Sequence, residues 1–119
     1  MPITKNPKAK PHLWILITEP NPNGECVVVN ITSAKSTSVD RTVVLQKGDH
    51  PFIQHESVVF YAFAHKENVK KLCAYLASGT AKQKQALSNT MLKKIQNGIL
   101  KSPDTPHEIV DFCKDLWKL

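Results

Sequence analysis

The sequence predicts a single α+β domain in which a small antiparallel β-sheet precedes three α-helices. The first half of the chain contains short apolar runs separated by turn residues, with no helical pattern between them. From residue 65 the apolar residues adopt helical spacing and keep it to the end. Short strands with tight connections are typical of an antiparallel meander or a small barrel. We therefore expect one domain over residues 1–119, with an extended arm at 1–11, a barrel at 12–63 and helices at 65–118.

Four apolar runs carry the strand prediction. The first is continuous and bounded by prolines, which is typical of a central strand buried on both faces. Asn23-Gly24 follows it and favours a tight hairpin turn, so the second run should be its antiparallel partner. The predicted strands are residues 12–18, 26–31, 41–46 and 57–63.

Three stripes of apolar residues at helical spacing predict the helices. Patterns that resemble a capping box, at residues 80–83 and 105–108, predict where the second and third helices begin. Each stripe is narrow, so each helix should pack on the sheet, which is the large surface available. The stripes are Val69, Leu72, Cys73 and Leu76, then Leu87, Met91, Leu92 and Ile95, then Ile109, Phe112, Cys113 and Leu116.

The composition is that of an ordinary globular domain. Hydrophobic residues make up 41% of the chain and charged residues 22%, and no apolar run approaches the length of a membrane span. The three cysteines are far apart and form no C-x-x-C pair, which argues against a disulfide framework and a zinc ribbon. We therefore expect a cytoplasmic protein with reduced thiols, no metal, no cofactor and no membrane contact.

Positive charge is concentrated in the middle of the chain. The net charge is +6, and residues 64–101 hold eight lysines against one acidic residue. A lysine-rich segment suits a polyanion, because each neutralised phosphate releases a counterion. The alternative is that the lysines only solvate the outer faces of two helices. The candidate nucleic-acid-binding residues, of which only a part can lie on one side, are Lys10, Lys66, Lys70, Lys71, Lys82, Lys84, Lys93 and Lys94.

The irregular stretch at residues 48–57 joins the third and fourth predicted strands. It contains two histidines, a hydroxyl and a large aromatic residue, and such a connection is a usual place for a binding or catalytic loop. One alternative is a bend in which Asp49 and His50 make local hydrogen bonds and Phe52 fills the end of the barrel. Asp49, His50 and His55 could also be metal ligands, but the H-x4-H spacing is a weak signal for such a site.

Polar side chains at strand ends and in connections suit metal-independent cleavage of single-stranded RNA. This reaction needs a base for the 2′-hydroxyl proton, an acid for the 5′-oxygen and a cation near the phosphate. Histidine can act in either proton-transfer role near neutral pH, and Arg41 could hold the phosphate. The candidate catalytic residues are His12, Thr32, Ser33, Arg41, His50 and His55.

Short motifs over residues 12–78 resemble the MazF/PemK toxins of toxin–antitoxin modules. The resemblance implies an SH3-like barrel with packed helices, usually a homodimer, that acts as a metal-free endoribonuclease on single-stranded RNA and is neutralised by an antitoxin protein. It also implies that Thr32 and Ser33, in an "ITS"-like tripeptide, supply the threonine site. The motifs are residues 13–18, 27–33, 43–45 and 57–61.

The chain departs from the family pattern at the start of its first long strand. The family has an "RP" pair there, whereas this chain has His12 after Pro11, with Lys10 before it. Either His12 or Lys10 substitutes for the arginine, or Arg41 reaches into the site, or the activity is lost. Two alternatives therefore stay open, a non-catalytic nucleic-acid-binding module and a protein-interaction module on the same barrel.

Overall fold

A computed structural model of the chain describes residues 2–5, 12–34, 40–79 and 82–119. The predicted α+β class is confirmed, since these residues form one antiparallel sheet and three helices. No helix in this part of the chain is long and apolar enough to cross a membrane. The elements are β1 (Pro2–Lys5), β2 (His12–Leu16), β3 (Glu25–Ser33), β4 (Val44–Leu45), β5 (Ser57–Asn68), α1 (Val69–Ser78), β6 (Lys82–Gln83), α2 (Asn89–Lys101) and α3 (His107–Trp117).

The sheet has the strand order β4-β5-β3-β2-β1-β6. It is curled, with a large irregularity in β5. Val28 pairs with His65 and Asn30 pairs with Phe60, so β3 advances by two residues while β5 advances by five. The extra residues of β5 bend the strand, as bulges do, and they displace its side chains relative to β3. Pairing among the described residues leaves β4 and β6 as the two edges of the sheet.

The two faces of the sheet carry different helices. Alternate residues of β2 and β3, such as Leu13 and Val29, belong to the main core together with Ile99 of α2 and Ile109 of α3. The residues between them face the other way, and there Cys26 packs with Leu72 of α1. Because side chains alternate along a strand, α1 lies on one face of the sheet, and α2 and α3 lie on the other.

Helix α2 approaches β5 closely at Gly98. A Cβ atom on Gly98 would lie 2.0 Å from the hydroxyl oxygen of Tyr61 and 2.7 Å from Cγ2 of Val43. Tyr61 is fully buried, and its hydroxyl donates a hydrogen bond of 2.8 Å to the carbonyl of Ile95. Residue 98 is therefore required to be glycine, because the hydroxyl of Tyr61 occupies the space that a side chain would fill.

Several predicted boundaries are wrong, for tertiary reasons. Lys82 and Gln83 were expected in a helix cap, but they form β6, because β1 offers them an antiparallel edge. Helix α2 begins later, and the Ser88 hydroxyl at its N-cap accepts a hydrogen bond from the amide of Met91. Thr80 and Ala81, from the same predicted cap, lie outside the described residues.

The strand boundaries also shift. The predicted extended arm contains β1, whose residues pair with β2 and β6, while residues 6–11 lie outside the described part of the chain. β5 continues beyond residue 63 to Asn68, whose side chain caps α1 by accepting a hydrogen bond from the amide of Lys70. The third predicted strand, residues 41–46, is reduced to the two residues of β4.

Candidate nucleic-acid interface

His50 is fixed inside the bend that joins β4 to β5. It is 3% exposed, and its Nδ1 accepts a hydrogen bond of 3.0 Å from the amide of Phe52. Its Nε2 lies 2.5 Å from the carbonyl oxygen of Gln85, to which it therefore donates. Both ring nitrogens are thus bonded to the backbone and the ring is buried, and together these two features favour a structural role over proton transfer. Asp49 stabilises the same bend, since its carboxylate accepts a hydrogen bond of 2.7 Å from the amide of Gln46.

We expect His50→Ala to lower the free energy of unfolding by about 2–3 kcal/mol, because it removes two hydrogen bonds from a buried position. Arg41→Ala and His55→Ala change exposed residues and should cost less than about 1 kcal/mol. Urea denaturation of the three variants, together with an RNA-cleavage assay, measures both effects. Loss of cleavage in His50→Ala at unchanged stability would instead place His50 in a catalytic site.

Arg41 and Glu56 form an ion pair near the end of β3. The guanidinium Nη1 donates to Oε1 of Glu56 at 2.6 Å, and the two side chains are 48% and 44% exposed. The hydrogen bond and the charge of Arg41 lower the pKa of Glu56. His55 is exposed beside Glu56. Arg41 could hold a phosphate only after exchanging its carboxylate partner.

The other predicted catalytic residues are distributed along β2 and β3. Thr32 and Ser33 are half-buried and pair with Val58 and Ser57 of β5, so they lie close to the Arg41–Glu56 pair. The hydroxyl of Ser33 is buried and has no hydrogen-bond partner among the described residues. His12 lies in β2, but its side chain is outside the described part of the structure.

The predicted lysines do not form one surface. Lys70 and Lys71 are exposed on α1, whereas Lys93 and Lys94 are exposed on α2, which packs on the opposite face of the sheet. Lys84 is exposed in the segment before α2. Lys66 lies 3.9 Å from Glu25 and above the ring of Phe112. Lys10 and the side chain of Lys82 lie outside the described residues.

His65 is a candidate that the sequence does not reveal, because residue 65 lies where the apolar spacing predicts the start of the helical region. It lies instead in β5, and its ring meets the ring of Trp14 edge to face with centroids 5.2 Å apart. Its Nε2 is 2.9 Å from Oε1 of Glu67, and its Nδ1 is 2.9 Å from the carbonyl oxygen of Phe63. Both neighbours are acceptors, so both hydrogen bonds form only when each ring nitrogen carries a proton.

Phe60 and Phe63 stack on each other beside this histidine. Their ring centroids are 4.4 Å apart with an interplanar angle of 21°, and Phe63 is 57% exposed. Trp14 and Phe60 both pair in register with Asn30, so the three side chains lie in a row on one face of the sheet. Asn30 is 5% exposed, and its Oδ1 has no partner among the described residues.

These side chains form a continuous surface, which we call the aromatic face. The aromatic face lies on the side of the sheet that carries α1. The Arg41–Glu56 pair lies at the far end of this face, because the amide of Ala34 donates a hydrogen bond to the carbonyl of Glu56 and so continues the β3–β5 pairing. Thr32 belongs to the same face, two residues beyond Asn30 on β3. The aromatic face comprises Trp14, Asn30, Thr32, Phe60, Phe63, His65 and Glu67.

Cys26 and Cys113 are not candidates for nucleophilic catalysis at this face. All three are free, and Cys26 and Cys113 are buried. Burial raises the pKa of Cys113 to about 11, and burial together with the charge of Glu67 raises the pKa of Cys26. Both thiols therefore remain protonated near neutral pH.

No group of three His, Cys, Asp or Glu side chains in the described ranges is arranged to hold a metal ion.

Comparison of the chain with protein-family models, with curated proteins and with solved structures finds no match. The resemblance to MazF/PemK toxins therefore stays a prediction from short motifs. The residues of the aromatic face are the basis on which a function can be inferred.

Proposed function

We propose that the protein binds single-stranded RNA on the aromatic face and cleaves it without a metal ion. The observation that carries the proposal is the Phe60–Phe63 stack, in which Phe63 is exposed, directly beside the His65–Glu67 pair. Aromatic rings on an open sheet surface stack with unpaired bases of any sequence. A duplex would not expose its bases to such a surface. The net charge of +6 supports a polyanionic ligand.

The His65–Glu67 pair supplies the groups for phosphodiester transesterification. In this reaction the 2′-oxygen attacks phosphorus and the bond to the 5′-oxygen breaks, which leaves a 2′,3′-cyclic phosphate and a 5′-hydroxyl. We assign the acceptance of the 2′-hydroxyl proton to the Glu67 carboxylate and the protonation of the 5′-oxygen to the His65 imidazolium. For these roles the bond between His65 Nε2 and Glu67 Oε1 must open when RNA binds, so that each group contacts its own oxygen of the substrate. The side chain of His65 is 41% exposed and that of Glu67 is 13% exposed, so the pair is open to a ligand on one side.

The remaining parts of the toxin hypothesis rest on the sequence resemblance. They are an SH3-like barrel, a homodimer, an antitoxin partner and a cytoplasmic location. The curled antiparallel sheet with helices on both faces is compatible with the first of them.

Non-catalytic binding of single-stranded nucleic acid is the second candidate function. It is favoured by the hydrogen bonds that occupy His50 and by the ion pair that occupies Arg41, since both residues were expected to act on the phosphate. The aromatic face would then serve as a stacking surface alone.

We expect Phe63→Ala to weaken binding of single-stranded RNA about tenfold or more, because stacking of one base on an aromatic side chain contributes about 1–3 kcal/mol. A labelled oligoribonucleotide with 2′-O-methyl groups cannot undergo transesterification, so fluorescence anisotropy in EDTA measures binding alone. Leu119→Ala is the matched control, since Leu119 is the other large hydrophobic residue exposed among the described residues, at 75%. Equal affinity of the two variants would contradict the proposal.

A further inference from the structure

A groove lies on the helix side of the sheet, away from the aromatic face. One cavity of about 440 Å³ opens between the end of β2, α2 and α3, and Leu92, Leu116 and Trp117 form much of its apolar wall. A second cavity of about 260 Å³ adjoins it, because Leu116 lines both. We call the two cavities together the helix groove.

The rim of the helix groove is acidic, although the protein as a whole is basic. Glu19 lines the first cavity and Asp115 lines the second, and the described lining of both contains no lysine, arginine or histidine. Both carboxylates are exposed, and neither takes part in an ion pair within the described ranges. The negative charge belongs to the lining itself, since Lys66, above the ring of Phe112, and exposed Lys114, next to Asp115 in the chain, are not part of that lining. The helix groove lies on the face of the sheet that carries α2 and α3, opposite the aromatic face, so it is separate from the proposed RNA site.

Lys66 is a cation of the chain that is bound beside this groove. The ammonium group of Lys66 lies 5.5 Å from the centroid of Phe112, which lines the second cavity. The same group lies 3.9 Å from Oε2 of Glu25. The ring of Phe112 and the carboxylate of Glu25 therefore hold one ammonium group between them. Glu19 and Asp115 offer two more carboxylates farther along the groove.

We infer that the helix groove docks a segment of a partner protein in which apolar side chains are flanked by lysine or arginine. The apolar side chains enter the cavities lined by Leu92, Leu116 and Trp117. The flanking cations then pair with Glu19 and Asp115 at the rim. This charge pattern is complementary to the groove and is opposite to that of an RNA ligand or of an acidic partner.

The test uses a short fluorescein-labelled peptide of leucine and lysine, and a counterpart in which glutamate replaces every lysine. Binding to the full chain is followed by fluorescence anisotropy. The groove variant carries Glu19→Lys and Asp115→Lys. The control variant carries Asp104→Lys and Glu108→Lys, which change the net charge equally at exposed positions outside the groove lining. Thermal unfolding confirms that both variants are folded.

We expect saturable binding of the leucine–lysine peptide, weakened about tenfold in the groove variant, since two rim ion pairs are lost and replaced by repulsion. The control variant should bind like the original chain, and the indole N–H signal of Trp117, but not that of Trp14, should shift in NMR spectra. Absence of binding, equal weakening in both variants, or equal binding of the glutamate peptide would each overturn the inference. RNA binding by the groove variant should be unchanged or slightly stronger, so failure of one proposal leaves the other distinguishable.

Discussion

Replacing His65 by alanine should reduce cleavage of single-stranded RNA in EDTA by about 10²- to 10⁴-fold, the usual contribution of one general acid or base. The substitution removes the group that we assign to protonate the leaving 5′-oxygen. The proposed stacking surface of Phe60 and Phe63 stays in place, so affinity for a 2′-O-methyl oligonucleotide should change much less than the cleavage rate. Single-turnover cleavage rates, measured beside binding affinities, separate the two effects.

Two comparisons make this experiment decisive. His107→Ala is the matched control, because His107 is exposed at the start of α3, on the opposite side of the sheet. His55→Ala and Arg41→Ala test the other end of the aromatic face, where the sequence placed the reaction. Full activity of His65→Ala, with loss of activity in His55→Ala or Arg41→Ala, would move the reactive phosphate to the Arg41–Glu56 end. Glu67→Gln should also be slow, since it removes the proposed base but keeps a hydrogen-bond acceptor for His65.

Gly98→Ala should be strongly destabilising, although alanine is the better helix former. Alanine gains about 1 kcal/mol in helix propensity. Its Cβ, however, would lie 2.0 Å from the hydroxyl oxygen of buried Tyr61, so the ring or the helix must move. Overpacking costs about 1–3 kcal/mol and loss of the Tyr61–Ile95 hydrogen bond costs about 1–3 kcal/mol more. We expect a net loss of about 2–4 kcal/mol in the free energy of unfolding, measured by urea denaturation.

The chain offers a control in the same helix and a second-site test of the cause. Asn97→Ala changes the exposed neighbour of Gly98 and should be neutral or slightly stabilising. Tyr61→Phe removes the nearest clashing atom, so Gly98→Ala should cost less in that background than in the original chain. An equal cost in both backgrounds would show that the tyrosine hydroxyl is not the reason why glycine is needed at this position.

The sequence correctly predicts the elements whose signal is local. Apolar stripes at helical spacing predicted the three helices, and Asn23-Gly24 predicted the turn between β2 and β3, where Gly24 adopts a φ of 77°. The sequence also predicts that the bend containing His50 is irregular, and it leaves open a reactive loop and a structural bend. The burial and hydrogen bonds of His50 favour the structural alternative.

Errors arose where an edge partner extended or created a strand. β1 and β6 each have few residues and little apolar periodicity. They pair with each other, and β1 also pairs with β2. β5 runs to Asn68 because Glu25 and Cys26 at the start of β3 are available to pair with it. Phe63, His65 and Glu67 are spaced two residues apart, which is the period of a strand. This spacing is the feature of the sequence that could have predicted a strand with these three side chains on one face.

The sequence by itself determined the α+β class, the approximate positions of three helices and four of the strands, and the basic middle segment. Only the tertiary structure brought Trp14 against His65, placed the lysines of α1 and α2 on opposite faces, and buried both nitrogens of His50 in backbone hydrogen bonds. The physical reason is that helical periodicity and turn preference act between neighbours in the chain. The register of β3 against β5, which decides which distant side chains share a face, depends on the extra residues in β5 and on packing of the whole sheet.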